Sequence, residues 1–151
     1  MTIGPEHNLV IKRLSRLDPL LASAACHMQC QGPVTIAPNH EPEPDGAVIK
    51  GTPEDFAHAN PGPKDVCAVL EVGDSSLPQE RTTKLRIYAE AGIPQYIIVN
   101  LAEHQLEAYE QPQRNKGRYV QSNTLKAGQT LKLCVGSQKH LDIPVASILA
   151  Q

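Results

Sequence analysis

The chain has 151 residues, 40% of them hydrophobic and 20% charged, and a formal net charge of −2. That length suits one domain with a real core. The composition excludes a membrane-spanning helix, since no apolar run approaches about 18 residues, and gives none of the overall basic character of a protein that coats itself on DNA. Aromatic residues make up only 3%, so the core is expected to be built from Leu, Ile, Val and Ala. Met1 to Asn8 lacks the basic-then-apolar layout of a signal peptide, and a cytoplasmic protein is expected.

In chain order, His7 to about Ala25 alternates Leu9, Val10, Leu14, Leu17, Leu20 and Leu21 with Lys12, Arg13 and Arg16. This is the period of an amphipathic helix with a cationic outer face. Pro19 after Asp18 is expected to bend it or split it in two. A strand is expected over Met28 to Ala37, centred on Val34-Thr35-Ile36. The Pro-rich run Pro38 to Gly46 cannot be a central strand. A strand follows at Ala47-Val48-Ile49. Gly51 to Pro63 carries the turn residues of a loop, with room for one helical turn at Glu54 to Ala57.

Val66 to Val72 is a nearly continuous apolar run, as in a strand buried on both faces. A punctuated helix comes next. Ser76 can cap it, Pro78 suits its first turn, and Gln79 completes a capping-box spacing. Gly92 can close it in a left-handed conformation, with Pro94 beyond. Gln95 to Val99 is the next buried strand, so Val66 to Val99 reads as a right-handed strand–helix–strand crossover. Gln105 to Tyr109 alternates like a half-exposed strand. Asn115-Lys116-Gly117 signals a turn, Arg118 to Gln121 its partner strand, and Gly128 to Val135 another. Leu141 to Leu149 contains a short apolar helix or strand starting near Pro144. The order implies a mixed α/β sheet with helices on its faces and a C-terminal antiparallel strand run, in a single domain spanning residues 1–151.

The four cysteines, Cys26, Cys30, Cys67 and Cys134, read as reduced, mostly buried thiols. The Cys26-His27-x-x-Cys30 spacing leaves open a zinc site using these residues and His40. The sharper signal is elsewhere. Glu71 interrupts the apolar run Val66 to Val72, and a buried unpaired carboxylate costs several kcal/mol. Asp45 precedes the strand at Ala47. If the two strands are neighbours, both carboxylates converge at one end of the sheet, where they repel unless something positive lies between them. A hard cation, Mg²⁺ or Mn²⁺, would serve. Lys84, two turns into the next helix, could orient or deprotonate a water beside it. The plainer readings are that Asp45 is a turn residue and that Glu80 and Lys84 only pair across one helical turn.

The stretches "EPDGAVIKG", "CAVLEVGDSSLPQERTTKLRIYAEAGIPQYIIVN" and "HQLEAYEQP" together resemble the bacterial "putative restriction endonuclease" family. That family is part of the PD-(D/E)XK nuclease-like superfamily. The resemblance runs from about His7 to Leu149 and is densest over Asp65 to Tyr109. It implies a restriction-endonuclease-like fold, Asp45 and Glu71 as metal carboxylates, and Lys84 as a displaced form of the superfamily lysine. Gly73 stands where that lysine would otherwise be. Glu80 would hold or tune Lys84, His7 matches a position near the site, and Tyr88 reads as core. Three departures stand out. Only Met1 to Glu6 precedes the first helix, where the family usually has a β-hairpin. Asn100 and Gly73 replace a frequent Asp and Ser. The function implied is Mg²⁺-dependent (or Mn²⁺-dependent) endonucleolytic hydrolysis of DNA by a homodimer. The alternative is a catalytically inactive module of the same fold that binds nucleic acid or protein.

Overall fold

The computed structural model describes residues 4–36, 40–74 and 76–149. Two short helices, α1 (Pro5–Ser15) and α2 (Asp18–Ala22), lead into the strands β1 (Cys26–Cys30), β2 (Gly46–Lys50) and β3 (Val66–Gly73). The crossover that follows comprises α3 (Leu77–Gln79), a π-helical segment (Glu80–Lys84) and α4 (Leu85–Glu90). Then come β4 (Gln95–Asn100), β5 (Gln105–Gln113), β6 (Arg118–Lys126), β7 (Thr130–Gly136) and β8 (Lys139–Pro144). Strands β1 to β6 form one sheet in sequence order, and β7 and β8 pair separately. Only β3 and β4 are parallel neighbours; the other pairs are antiparallel. Among the described residues no helix is long and apolar enough to cross a membrane.

Each face of the large sheet has its own core. Ala68, Leu70 and Val72 of β3, with Ile97 and Val99 of β4, meet α1, α2 and the β7–β8 hairpin through Leu14, Leu21, Leu131, Leu133 and Ile143. Val69 of β3, with Tyr96 and Ile98 of β4, meets the crossover through Leu77, Tyr88 and Ile93. All of β3 is buried, as its apolar run predicts, and Glu71 is buried with it.

The split expected at Pro19 is present: the proline sits in the opening turn of α2 and cannot continue α1. Other expectations need correction. The strand expected at Met28 to Ala37 starts earlier, at Cys26, and stops at Cys30, where Gln31 turns into the left-handed region at φ 57°. Val34 and Ile36 instead donate single hydrogen bonds to the Pro42 and His40 carbonyls outside any strand. Ala37 and Pro38 lie outside the described residues. The capping box at Ser76 is absent: no side chain caps the helix, and the Ser76 hydroxyl donates to Glu80 Oε1 at 2.9 Å. The core is also not purely aliphatic. Tyr88, Tyr96, Tyr109 and Tyr119 gather under α4, with the Tyr88 and Tyr96 rings 5.2 Å apart. The left-handed close at Gly92 is present, at φ 77°. The Gly92 and Ile93 N–H groups donate to the Ala89 and Tyr88 carbonyls.

Candidate active site

The register of β2 on β3 builds the site. Gly46 pairs with Leu70, so the next step outward sets Asp45 opposite Glu71. The two residues are laced together by their backbones. Val72 N–H donates to Asp45 Oδ2 at 2.8 Å, and Asp45 N–H donates to Glu71 Oε1 at 3.4 Å. Parity along β3 aims Glu71 at the crossover face, between Val69 and the helices. There the Tyr88 hydroxyl donates to Glu71 Oε2 at 2.8 Å. Lys84 Nζ lies 3.6 Å from Glu71 Oε1 and 3.1 Å from Glu80 Oε2. At the far side His7 Nε2, in the first turn of α1, is 3.4 Å from Asp45 Oδ2. All five residues expected from the sequence therefore meet in one place. They line a cleft of about 530 Å³ whose wall also includes Glu6, Glu43 and Asp74.

The π segment sets the reach of the lysine. Widening the helix at Glu80 to Lys84 turns both side chains toward the end of β3, and such segments recur at functional sites. The Tyr96 hydroxyl donates to the Glu80 carbonyl at 2.9 Å and pins the segment to β4. Gly73 makes the close approach feasible. A Cβ there would lie 3.1 Å from both Glu80 Cγ and Leu77 Cδ2. A lysine at position 73 would have to push into the helix, so the ammonium comes from the helix instead.

The electrostatics follow from burial. Glu71 is 4% exposed, and desolvation pushes its carboxyl up to about 7. Asp45 and Glu80 add to that effect, while Lys84 and the Tyr88 hydroxyl oppose it. Burial works against the Lys84 charge too, but Glu71, Glu80 and Asp45 outweigh it and hold the ammonium above its ordinary value. Burial and the Glu71 carboxylate also raise the Tyr88 hydroxyl. Tyr88 is thus core and site at once; its place one turn after Lys84 was the signal for the second role.

A second network was not legible. Arg81, in the π segment, makes a bidentate pair with Glu107 of β5, which also accepts from Asn100 Nδ2 and Gln105 Nε2. Glu107, expected on an exposed face, is 7% exposed because the crossover covers it. The Arg81 hydrogen bonds, helped by Asn100 and Gln105, outweigh burial and hold the Glu107 carboxyl down at about 2. A depressed carboxyl stabilises the fold above its ordinary value of 4.5 and loses that contribution as pH falls toward 2. Because Arg81 is 40% exposed, the contribution is discounted to about 2 kcal/mol. Urea titrations should show wild type more stable than Glu107→Gln at pH 7, with the gap closing below pH of about 3.

Cys26 and Cys30 stand four residues apart on one strand, about 13 Å in extended backbone, so they cannot share a zinc ion. Among the described residues no group of three or more His, Cys, Asp or Glu side chains is arranged to hold a metal. Of the six acidic side chains that line the cleft, Asp45 and Glu71 are the two laced to each other across β2 and β3. They are hard oxygen donors, and Mg²⁺ commonly takes one or two carboxylates and fills its shell with water. None of the described hydrogen bonds uses Asp45 Oδ1. The donor set fits such an ion.

A mixed sheet with helices on its faces and facing carboxylates at its open end is the restriction-endonuclease-like architecture. The family profile described as "Putative restriction endonuclease" (Uma2) matches residues 1–146, and the chain belongs to that family. A crystal structure described as a "putative nuclease belonging to DUF820" from Anabaena variabilis ATCC 29413 shares the fold. It aligns with a TM-score of 0.71 and 13% identity, covering 98% of this chain and 82% of that one. No curated protein matches the chain.

Proposed function

We propose that this protein is a Mg²⁺-dependent (or Mn²⁺-dependent) endonuclease that hydrolyses DNA phosphodiester bonds. The observation that carries the reading is the juxtaposition of Asp45, Glu71 and Lys84 in one cleft. Asp45 and Glu71 would hold the metal, which when bound would neutralise charge on the phosphate as a Lewis acid. The backbone lacing fixes the two carboxylates relative to each other before any ligand arrives, the preorganisation that electrostatic catalysis requires. The Lys84 ammonium, held protonated by the surrounding carboxylates, is placed to position the attacking water and to offset charge growing on the phosphate. Glu80 holds that ammonium, Tyr88 fixes Glu71 Oε2 so that Oε1 faces the cleft, and His7 braces Asp45. The chain acts as a single cytoplasmic domain. It pairs as a homodimer, the arrangement that cutting both strands of a duplex calls for.

The test is cleavage of plasmid and linear DNA with Mg²⁺ or Mn²⁺. Wild type should cut, chelator should stop it, and Asp45→Ala should abolish it. Cleavage that survives Asp45→Ala would overturn the assignment. A second reading, a nuclease-fold module without catalysis, draws support from the six acidic residues of the cleft, which repel a phosphate backbone in the absence of bound cations. Titration calorimetry separates the two: a nuclease site binds Mn²⁺ and loses it in Glu71→Gln, whereas the module binds none.

A further inference from the structure

Three of the four cysteines meet on the sheet face opposite Glu71, about 13 Å along β3 from it. Two β-bulges bring them there. Val48 pairs with Ala68 and Ile49 with Val66, which leaves Cys67 as the extra residue of β3. The bulge reverses the alternation, so Cys67 and its neighbour Ala68 both face the β7–β8 hairpin. In β7, Cys134 pairs with His140 and Gly136 with Lys139, so Val135 is the extra residue. Bulges re-aim side chains, and they are enriched next to functional sites.

Cys67 of β3 and Cys134 of β7 face the same cavity, with Cys67 next to the Cys26 and Cys134 thiols; Cys134 Sγ–H donates to the Gly136 carbonyl and Cys26 Sγ–H to the Val135 carbonyl, each at 3.4 Å. Gln95 clamps the arrangement. Its Oε1 accepts from Cys134 N–H at 2.9 Å, and its Nε2 donates to the Lys132 carbonyl at 2.9 Å. Structural cysteines are usually sealed in apolar packing and inert. This pair is buried in the core, yet it lines a cavity of about 510 Å³ whose wall also includes Lys50, Glu110 and His140. His140 Nε2 lies 3.4 Å from Glu110 Oε1. The neighbouring Cys67 thiol lowers the Cys134 thiol, against burial and Glu110, which raise it.

We propose that Cys134 and Cys67 form an oxidant-responsive thiol pair in which hydrogen peroxide reaching this cavity oxidises Cys134, and Cys67 closes a disulfide. The Cys134 thiolate attacks one peroxide oxygen, the O–O bond breaks, and the departing hydroxide takes a proton to leave as water. Cys67 Sγ then attacks Cys134 Sγ; the S–S bond forms, the S–O bond breaks, and a second water carries off the Cys67 proton. Two thiols lose two electrons, and one peroxide becomes two waters. The bond ties the β7–β8 hairpin to β3.

The test treats the purified full chain with hydrogen peroxide. Free thiols counted after denaturation should fall from the four of the sequence to half that number. A non-reducing peptide map should show the Cys67–Cys134 link, and the melting temperature should rise by several degrees, reversed by dithiothreitol. Cys67→Ser should accumulate a dimedone-reactive sulfenic acid at Cys134, and Cys134→Ser should keep its remaining thiols. A Cys26–Cys67 link, continued oxidation in Cys134→Ser, or four intact thiols at a peroxide dose that oxidises free cysteine would each overturn the proposal. Should Cys134→Ser not fold, the wild-type peptide map decides alone.

Discussion

Lys84→Met is expected to slow DNA cleavage by about 10²–10³-fold while tightening divalent-cation binding above pH 8. Methionine keeps the length of the stem, so packing along the helix changes little and the lost element is the charge. In the native protein the Lys84 ammonium sits 3.6 Å from Glu71 Oε1 and 3.1 Å from Glu80 Oε2. It competes with an added cation for the same negative charge. Without it, Asp45, Glu71 and Glu80 face one another uncompensated, and each makes the others harder to ionise. Cation binding in the variant should therefore weaken below neutral pH, where protons win, and strengthen at pH 8.5. Calorimetry with Mn²⁺ at both pH values, beside single-turnover cleavage, reads the two effects separately. If neither cleavage nor cation affinity changes, Lys84 is only a helix-surface partner of Glu80.

The paired carboxylates were legible because each broke a local rule. Glu71 stands in an apolar run, and Asp45 sits where a proline-rich stretch gives way to a strand; sheet pairing then needed only an antiparallel register to join them. The crossover was legible from its ends, because Gly92 and the proline at position 94 punctuate a helix whatever it packs against. The π segment was not, since no residue type marks one extra residue in a helical turn. It matters because the same Glu80–Lys84 spacing on a regular helix reads as an ordinary surface pair. Glu107 was misjudged for a related reason: alternation reports two faces, and only the placement of the crossover decides which is covered. The tyrosine cluster and the cysteine pair share this property. Tyr88, Tyr96, Tyr109 and Tyr119 come from three strands and a helix, and the two bulges that aim Cys67 and Cys134 leave no period in the chain.

Glu71→Gln is expected to make the metal-free protein more stable at pH 8, by up to about 3 kcal/mol, and nearly neutral at pH 4. The sign follows from where the proton sits. Burial raises the folded-state carboxyl to about 7, against an ordinary 4.5. Below 4.5 both folded and unfolded chains hold the proton, and burial of the neutral group carries no ionic penalty. Between 4.5 and 7 the unfolded chain releases the proton while the folded chain keeps it, so wild-type stability falls as pH rises. Above 7 the folded chain carries a buried carboxylate that Lys84 and the Tyr88 hydroxyl only partly compensate. Glutamine keeps the shape without the charge: its carbonyl oxygen can accept from Asp45 N–H, and its NH₂ can donate to the Tyr88 hydroxyl oxygen in place of the bond Glu71 accepts there. Urea titrations in chelator from pH 4 to pH 8.5 should show a falling slope in wild type that is absent in the variant. The same substitution removes a carboxylate from the proposed cation site, so it should abolish Mn²⁺ binding while raising stability. A residue that lowers stability where it stands and is needed for the ligand is held there by function. A wild-type curve flat across that range would show a solvated, fully ionised Glu71 and remove the physical basis for treating it as more than a core anomaly.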